Sequence, residues 1–273
     1  MSRIAGRFKQ LAEQGRTALI PYIVAGDPGQ DVTVPLMHQL VASGADIIEL
    51  GVPFSDPMAE GPVIQQGHER ALANGTTLTA VLGMVRTFRE LDSTTPVLLM
   101  GYANPVMHMG YAAFADAAAA AGLDALLTVD IPPEEVDGIN AQLQRVGMDN
   151  IFLVAPTTPE ERIARIAARA SGFLYYVSLK GVTGAGHIDT QEVKKRLDTI
   201  RQHTRLPVAV GFGIRDAESA RVVAEVADGV VVGSALISAM AQAIAQGGGR
   251  EGAMQAASAL LRQIRKGIDN AAS

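Results

Sequence analysis

Short runs of aliphatic and β-branched residues recur along the chain, and longer amphipathic segments separate them. Most of these runs are apolar at consecutive positions, which is typical of strands in a parallel sheet whose faces are covered by helices. The runs predict eight strands: Ala18–Val24, Asp46–Val52, Pro96–Gly101, Ala125–Asp130, Asn150–Val154, Phe173–Ser178, Pro207–Gly211 and Gly229–Val232.

The segments between the strands carry apolar residues at spacings of three and four, which favours helices, and a glycine follows several of them. The alanine-rich stretch is explained by the high helix propensity of alanine. The predicted helices are Asp31–Ser43, Thr79–Glu90, Ala112–Ala121, Pro133–Val146, Pro159–Ala170, Thr190–His203, Asp216–Val226 and Gly252–Arg265.

Strict alternation of strand and helix over this length favours a closed eight-fold β/α (TIM) barrel over an open doubly wound sheet. A doubly wound sheet calls for a Gly-x-Gly-x-x-Gly turn after the first strand, and "VAGDPG" does not supply one. Ile4, Phe8 and Leu11 predict an additional N-terminal helix that closes one end of the barrel. Without a linker or a shift in composition, we expect one domain over residues 1–273.

Composition narrows the chemistry. The 273 residues are 48% hydrophobic and 19% charged, without an apolar run long enough to span a membrane or a signal-peptide pattern, so we expect a cytoplasmic protein. With no cysteine, and five histidines at no ligand spacing, we expect no disulfide and no metal site. The net charge of −5 argues against a nucleic-acid or anionic-membrane surface. An anionic substrate would therefore need a pocket built from backbone groups.

Glycines mark the ends of the last two strands. Gly211 and Gly213 close strand seven, and Gly233-Ser234 opens a short helix after strand eight. Bare backbone N–H groups and a helix N-terminus at this place in a barrel predict a phosphate site, although glycines also simply terminate strands. After strand six, "LKGVTGAGHID" places glycines around Thr183, which predicts either a lid or an ordinary surface loop.

The second strand leads into three carboxylates in "ADIIELGVPFSDPMAEGP". Glu49 lies in an apolar strand end, where burying a charge is costly, so it is a candidate acid/base with a raised pKa or one half of a structural ion pair. Glu60 follows in the loop and can face the same cavity, or remain a solvated charge. Asp56 follows Ser55 and can cap a turn.

These residues together identify a family. "ELGVPFSDPMAEGPVIQ", "KGVTGAG" and "VGFGI…GVVVGSALI", with "LIPYIVAGDP", "YANP" and "VDIPPEE", resemble the tryptophan synthase α subunit along the whole chain. The resemblance implies a barrel that cleaves indole-3-glycerol phosphate to indole and glyceraldehyde 3-phosphate by a retro-aldol reaction, without metal or organic cofactor in this subunit. It makes Glu49 the principal acid/base and Glu60 the carboxylate that receives the indole N–H.

The resemblance also implies the remaining site residues. Position 60 is usually aspartate, so the glutamate here puts the placement of its carboxylate in question. Met100 replaces a commoner leucine, a nearly volume-conserving change. The implied substrate contacts are Tyr22, Met100, Leu127, Tyr175 and Thr183, and the implied phosphate cradle is Gly184, Gly213, Gly233 and Ser234.

Members of this family work with a pyridoxal-phosphate β subunit that receives indole through a tunnel in an αββα assembly. The resemblance implies that Pro53 and Asp56, with the "YANP" and "VDIPPEE" segments, face that partner. Three alternatives stay open: a Schiff-base aldolase that uses Lys180, a catalytically silent allosteric or tunnel-capping subunit, and a stand-alone indole lyase.

Overall fold

A computed structural model describes residues 2–177, 190–211 and 213–271. Eight parallel strands pair in chain order, and β8 pairs back to β1, so the sheet closes into the predicted barrel. The predicted strands are confirmed, most with slightly different ends. They are β1 (Ala18–Val24), β2 (Ile48–Gly51), β3 (Val97–Gly101), β4 (Ala125–Thr128), β5 (Asp149–Val154), β6 (Leu174–Val177), β7 (Val208–Gly211) and β8 (Gly229–Val232).

Helices surround the barrel and connect its strands. They are α1 (Arg3–Glu13), α2 (Gln30–Ala42), α3 (Pro62–Ala73), α4 (Leu78–Arg89), α5 (Ala103–Met109), α6 (Tyr111–Ala121), α7 (Asp137–Arg145), α8 (Glu160–Ala167), α9 (Thr190–His203), α10 (Ala217–Ala224), α11 (Ser234–Ala245) and α12 (Gly249–Ala271).

Several helices differ from the predictions. Helices α3 and α5 were not predicted, because each lies between a strand and the next predicted helix in a segment without a long apolar stripe. Proline at the first position of α3 signals its start. Helix α7 is shorter than predicted, since a turn after two prolines precedes it. Helix α11 has 12 residues, longer than the short helix predicted there, and α12 has 23.

The barrel interior is filled by alternate residues of its strands, with one face of α1 packed beneath them. Phe8 of α1 lies 5.5 Å from Phe173, measured between ring centroids, which confirms that the N-terminal helix closes one end. The buried interior cluster is Ile4, Phe8, Leu11, Ala18, Ile20, Ile47, Leu98, Ala125, Leu127, Ile151, Phe173, Ala209 and Val231. A second, larger cluster lies between the sheet and the outer helices.

At the amino-terminal end of the barrel, side chains preceding the even-numbered strands accept backbone N–H groups of the odd-numbered ones. Asp46 accepts from Leu19 at 2.9 Å, and Asp124 accepts from Val97 at 2.8 Å. The same contact recurs twice, from Val208 to Asp228 at 2.8 Å and from Asn150 to Ser171 at 3.0 Å. These side chains tie neighbouring strands together where the strands begin.

Candidate active site

A cavity of about 340 Å³ opens at the carboxyl-terminal end of the barrel. The same alternation that fills the interior brings the last inward-facing residues of the strands to this end. Several predicted site residues from distant parts of the chain lie together around this cavity. Those that line it are Tyr22, Glu60, Met100, Tyr175, Gly213, Gly233 and Ser234.

Glu49 lies on β2 opposite Tyr22 of β1 and Leu98 of β3, and its side chain is 1% exposed. Neither carboxylate oxygen has a hydrogen-bond partner among the described residues. Burial raises the pKa of Glu49 to about 8, because the barrel interior disfavours the charged form. The prediction of a structural ion pair is therefore not met within that part of the chain. The carboxyl is a group that can hold or release a proton near neutral pH.

Glu60 lies in the wall of the cavity, in the loop between β2 and α3, and it is 8% exposed. The Tyr102 hydroxyl donates a hydrogen bond to Glu60 Oε2, and the Ala59 N–H donates to Tyr102 Oη at 2.9 Å. Burial raises the pKa of Glu60, while the Tyr102 hydrogen bond acts in the opposite direction. The longer side chain of glutamate is thus accommodated by an anchor at the start of α5. The sequence analysis did not assign Tyr102 this contact.

Two glycines make room for the tyrosine rings of the cavity. A Cβ atom on Gly51 would lie 2.4 Å from Tyr22 Oη, and one on Gly211 would lie 2.4 Å from Tyr175 Oη. Removal from water raises the pKa of both tyrosines, and the charge of Glu49 adds to this effect. Both hydroxyls are therefore protonated at neutral pH and available as hydrogen-bond donors.

The amino terminus of α11 lies at another side of the cavity. Gly233 precedes this helix, and Ser234, its first residue, is exposed to the cavity. N–H groups in the first turn of a helix have no intrahelical acceptor, and the helix dipole favours an anion there. Gly213, with a φ of 76°, has a left-handed backbone conformation that residues with side chains rarely adopt. These features support the predicted phosphate cradle, whereas Gly184 and Thr183 lie outside the described residues.

Comparison with known proteins places the chain in a family. A profile described as "Tryptophan synthase alpha chain" matches residues 8–268. The chain belongs to the tryptophan synthase alpha chain family. Curated alpha chains from Thioalkalivibrio sulfidiphilus and Nitrosococcus oceani are 60% and 57% identical to it over 269 residues, 98% of this chain and 100% and 98% of theirs. The crystal structure of the subunit alpha from Legionella pneumophila superposes with a TM-score of 0.92 at 48% identity, covering 99% of both chains.

As a tryptophan synthase alpha chain, the protein is a lyase of tryptophan biosynthesis. The remaining predicted substrate contacts, Met100 and Leu127, lie at different depths in the barrel. Met100 lines the cavity, together with Val63 and Ile64 from the unpredicted helix α3. Leu127 is fully buried in the interior cluster and does not line the cavity.

The loop of the alpha chain that carries Glu60 also carries the residues predicted to face a partner. Asp56 is exposed and accepts a hydrogen bond from the Ser55 hydroxyl at 2.6 Å. Pro53 is buried within the chain. Met58, in the same loop, is 85% exposed, so this segment presents an apolar side chain to its surroundings.

Two further features concern the described part of the alpha chain. It contains no group of three or more histidine, cysteine, aspartate or glutamate side chains that could hold a metal ion. None of its helices combines the length and the apolar character needed to cross a membrane.

Proposed function

We propose that this alpha chain cleaves indole-3-glycerol phosphate to indole and glyceraldehyde 3-phosphate, with Glu49 as the acid/base. The observation that carries the proposal is the buried carboxyl of Glu49, which has no partner among the described residues. Burying such a group costs stability. Glu49 does not itself line the cavity, but it lies opposite Tyr22, which does.

The reaction breaks the bond between the indole ring carbon and the glycerol chain. The ring carbon gains a proton, and the adjacent glycerol hydroxyl loses its proton as it becomes the aldehyde, so one proton is moved overall. With a pKa of about 8, Glu49 is mostly protonated at neutral pH and can deliver the proton to the ring carbon. Its ionised form then accepts the hydroxyl proton.

Glu60 acts on the other part of the ring. Protonation of the ring carbon leaves positive charge on the indole, which a carboxylate near the ring N–H stabilises. The cavity places Glu60 in the wall beside apolar side chains, while Tyr102 holds one of its oxygens. The second oxygen is then the acceptor for the indole N–H.

The phosphate end of the substrate binds at the amino terminus of α11, with Gly213, Gly233 and Ser234 around it. Tyr22, Met100 and Tyr175 contact the remainder of the substrate, above Leu127. Thr183 and Gly184 complete this set as predictions from the sequence. One domain, residues 1–273, carries the whole site.

We further propose that the chain works with a tryptophan synthase β subunit as an αββα heterotetramer in the cytoplasm, with pyridoxal phosphate in the partner only. The name of the family supports a β partner, and exposed Asp56 and Met58 beside the cavity support an interface there. No organic cofactor is required in the alpha chain, because the acid/base reaction needs only a proton carrier.

Indole release from indole-3-glycerol phosphate tests this function, with and without a β subunit. We expect slow turnover alone, acceleration by the partner, and a loss of about a thousandfold in Glu49→Gln. Glu90→Gln, which changes an exposed carboxylate outside the cavity, serves as the matched control. If Glu49→Gln turned over the substrate as fast as the parent chain, Glu49 would not be the acid/base of the reaction.

The same assay separates the alternatives. No turnover in either condition would leave only a silent subunit, and equal rates with and without the partner would indicate a stand-alone lyase. Borohydride reduction during turnover tests the Schiff-base route, and we expect no adduct. A substrate adduct on Lys180, which lies outside the described residues, would replace the acid/base assignment.

A further inference from the structure

A buried histidine joins strand β1 to the loop after β2 that carries Glu60. His68 lies on α3, is 1% exposed, and does not line the cavity itself. Its Nδ1 accepts a hydrogen bond from the Phe54 N–H at 3.0 Å, and its Nε2 lies 3.2 Å from Tyr22 Oη. The imidazole therefore bridges the loop after β2 and the side chain of β1 opposite Glu49.

These contacts fix the tautomer of the imidazole. A backbone N–H can only donate, so Nδ1 must carry the lone pair. Burial lowers the pKa of His68 to about 4, which keeps the ring neutral at physiological pH. A neutral ring whose Nδ1 is unprotonated carries its proton on Nε2. The Nε2–H group therefore donates a hydrogen bond to Tyr22 Oη. The hydroxyl proton of Tyr22 is then directed away from His68.

The surroundings of the Tyr22 side chain limit where its hydroxyl proton can point. Its ring contributes to the cavity wall and lies over Gly51, where any side chain would collide with the hydroxyl. The described residues show no acceptor for the Tyr22 proton besides the imidazole, which is itself the donor. The hydroxyl proton of this cavity-lining residue is thus left without an acceptor among the described residues.

The other contact of His68 reaches Glu60 through two rings. The Phe54 ring stacks on the Tyr102 ring, with 4.9 Å between centroids and 24° between planes. Tyr102 in turn holds the Glu60 carboxylate. The hydrogen bond from the Phe54 backbone to His68 therefore also holds the Phe54 ring in place. Tyr102, which contacts Glu60, packs against that ring.

We propose that His68 is a positioning residue, which directs the Tyr22 hydroxyl proton into the cavity as a donor to an oxygen of the substrate and fixes the loop that carries Glu60. The substrate oxygen is taken from the proposed function, on which this part rests. A glycerol hydroxyl fits, because Tyr22 lies between the phosphate cradle and Glu49. Gly233 of the cradle lies against the Tyr22 side chain, and Glu49 is the residue opposite Tyr22 on the neighbouring strand β2.

A double-mutant cycle between His68 and Tyr22 tests the proposal. His68→Leu should lower kcat/KM about 30-fold, since ångström-scale misplacement of active-site groups costs on the order of a hundredfold. Tyr22→Phe should lower it about tenfold, and the double variant should be no worse than His68→Leu alone. His68→Gln offers one acceptor and one donor and should restore activity to within about threefold of the parent chain. Glu69→Gln, an exposed neighbour on the same helix, is the control.

Losses that multiply in the double variant, or no rescue by glutamine, would overturn the proposal. A second measurement remains valid if His68→Leu does not fold or if the chain does not turn over the substrate. Nitrogen NMR of the parent chain between pH 6 and 8 should show His68 protonated at Nε2 only. A ring protonated at Nδ1 would contradict the positioning geometry, whereas absent turnover with the expected tautomer would contradict the proposed function alone.

Discussion

Buried carboxylates lie at both ends of the barrel, and they differ in what surrounds them. At the amino-terminal end, Asp124 accepts hydrogen bonds from Arg3 and Arg89 and from the Val97 N–H. At the carboxyl-terminal end, Glu49 is as deeply buried and has no partner among the described residues. The first arrangement compensates the burial of charge, and the second leaves it uncompensated.

Asp46 sharpens this contrast. Burial raises its pKa, but the Leu19 N–H and Arg265 act in the opposite direction, and Arg265 Nη1 lies 3.1 Å from Asp46 Oδ2. Within the part of the chain that the structure describes, no such opposing influence acts on Glu49, whose pKa is raised by burial. The acids at the amino-terminal end are therefore paired with backbone donors and arginines, while Glu49 at the carboxyl-terminal end has no such partner among the described residues.

The largest effect on stability should come from breaking the partnered end. Asp124→Ala leaves Arg89 nearly buried without its carboxylate and should lower the free energy of unfolding by about 3–5 kcal/mol. Activity of the remaining folded protein should be unchanged, because Asp124 is far from the cavity lining. Urea unfolding and the indole assay check this, with Asp116→Ala as control.

Asp116 forms an exposed ion pair with Arg145, so its loss should cost less than about 1 kcal/mol. A destabilisation by Asp124→Ala as small as that of the control would mean that the partnered end does not stabilise the barrel. A selective loss of turnover number in Asp124→Ala would erase the functional distinction between the two ends.

The next effect concerns pH. Because the pKa of Glu49 rises from an ordinary 4.5 to about 8 on folding, the folded chain binds more protons than the unfolded chain between these values. Stability should therefore fall as pH rises through this window, by about 1.4 kcal/mol for each pH unit where Glu49 is protonated only in the folded state. Glu49→Gln should lack this contribution.

Unfolding measured for both chains between pH 5 and 9 isolates the effect. The difference between the chains should grow in favour of Glu49→Gln up to about pH 8 and then stay constant. Two parallel profiles across the window would show that Glu49 is not an uncompensated acid.

Position 60 should respond to charge more than to length. Glu60→Gln removes the negative charge proposed to stabilise the protonated ring and should lower kcat about a hundredfold. Glu60→Asp keeps the charge and should stay within about tenfold of the parent chain, although its carboxylate reaches less far towards Tyr102. Steady-state kinetics of the two variants decide this, and equal losses would assign the effect to the Tyr102 contact instead.

The smallest effect tests the repeated contact at the amino-terminal end. Ser171→Ala deprives the Asn150 N–H of its acceptor and should lower the free energy of unfolding by about 1 kcal/mol, without changing kcat. Ser93→Ala, an exposed serine, is the control for urea unfolding. If Ser171→Ala left the free energy of unfolding unchanged, only the aspartates among these side chains would stabilise the amino-terminal end of the barrel.

The sequence predicts the number and order of the strands well, because both follow from local patterns. Apolar runs separated by amphipathic segments predict the closed barrel, and the apolar end of the second strand marks Glu49 as a candidate acid/base. Many of the predicted site residues line one cavity for the same reason: residues that end parallel strands of a barrel meet at one end.

Contacts between side chains far apart in the chain were not predictable in the same way. Tyr102 and Glu60 are 42 positions apart, and Tyr22 and His68 are 46 apart. The second pair depends on the path of α3, a helix whose sequence lacks a long apolar stripe, and the first depends on the loop that precedes α3. Tyr102 and His68 therefore carried no local signal for their roles, and only the folded geometry joins them to the site.

The most direct test of the account is the protonation state of Glu49 itself. Infrared difference spectra between the parent chain and Glu49→Gln report the carbonyl stretch of a protonated carboxyl as a function of pH. This band should be present at pH 6 and should disappear with a midpoint near pH 8. A carboxyl that is already ionised at pH 6 would contradict the claim that burial without a partner makes Glu49 the proton carrier.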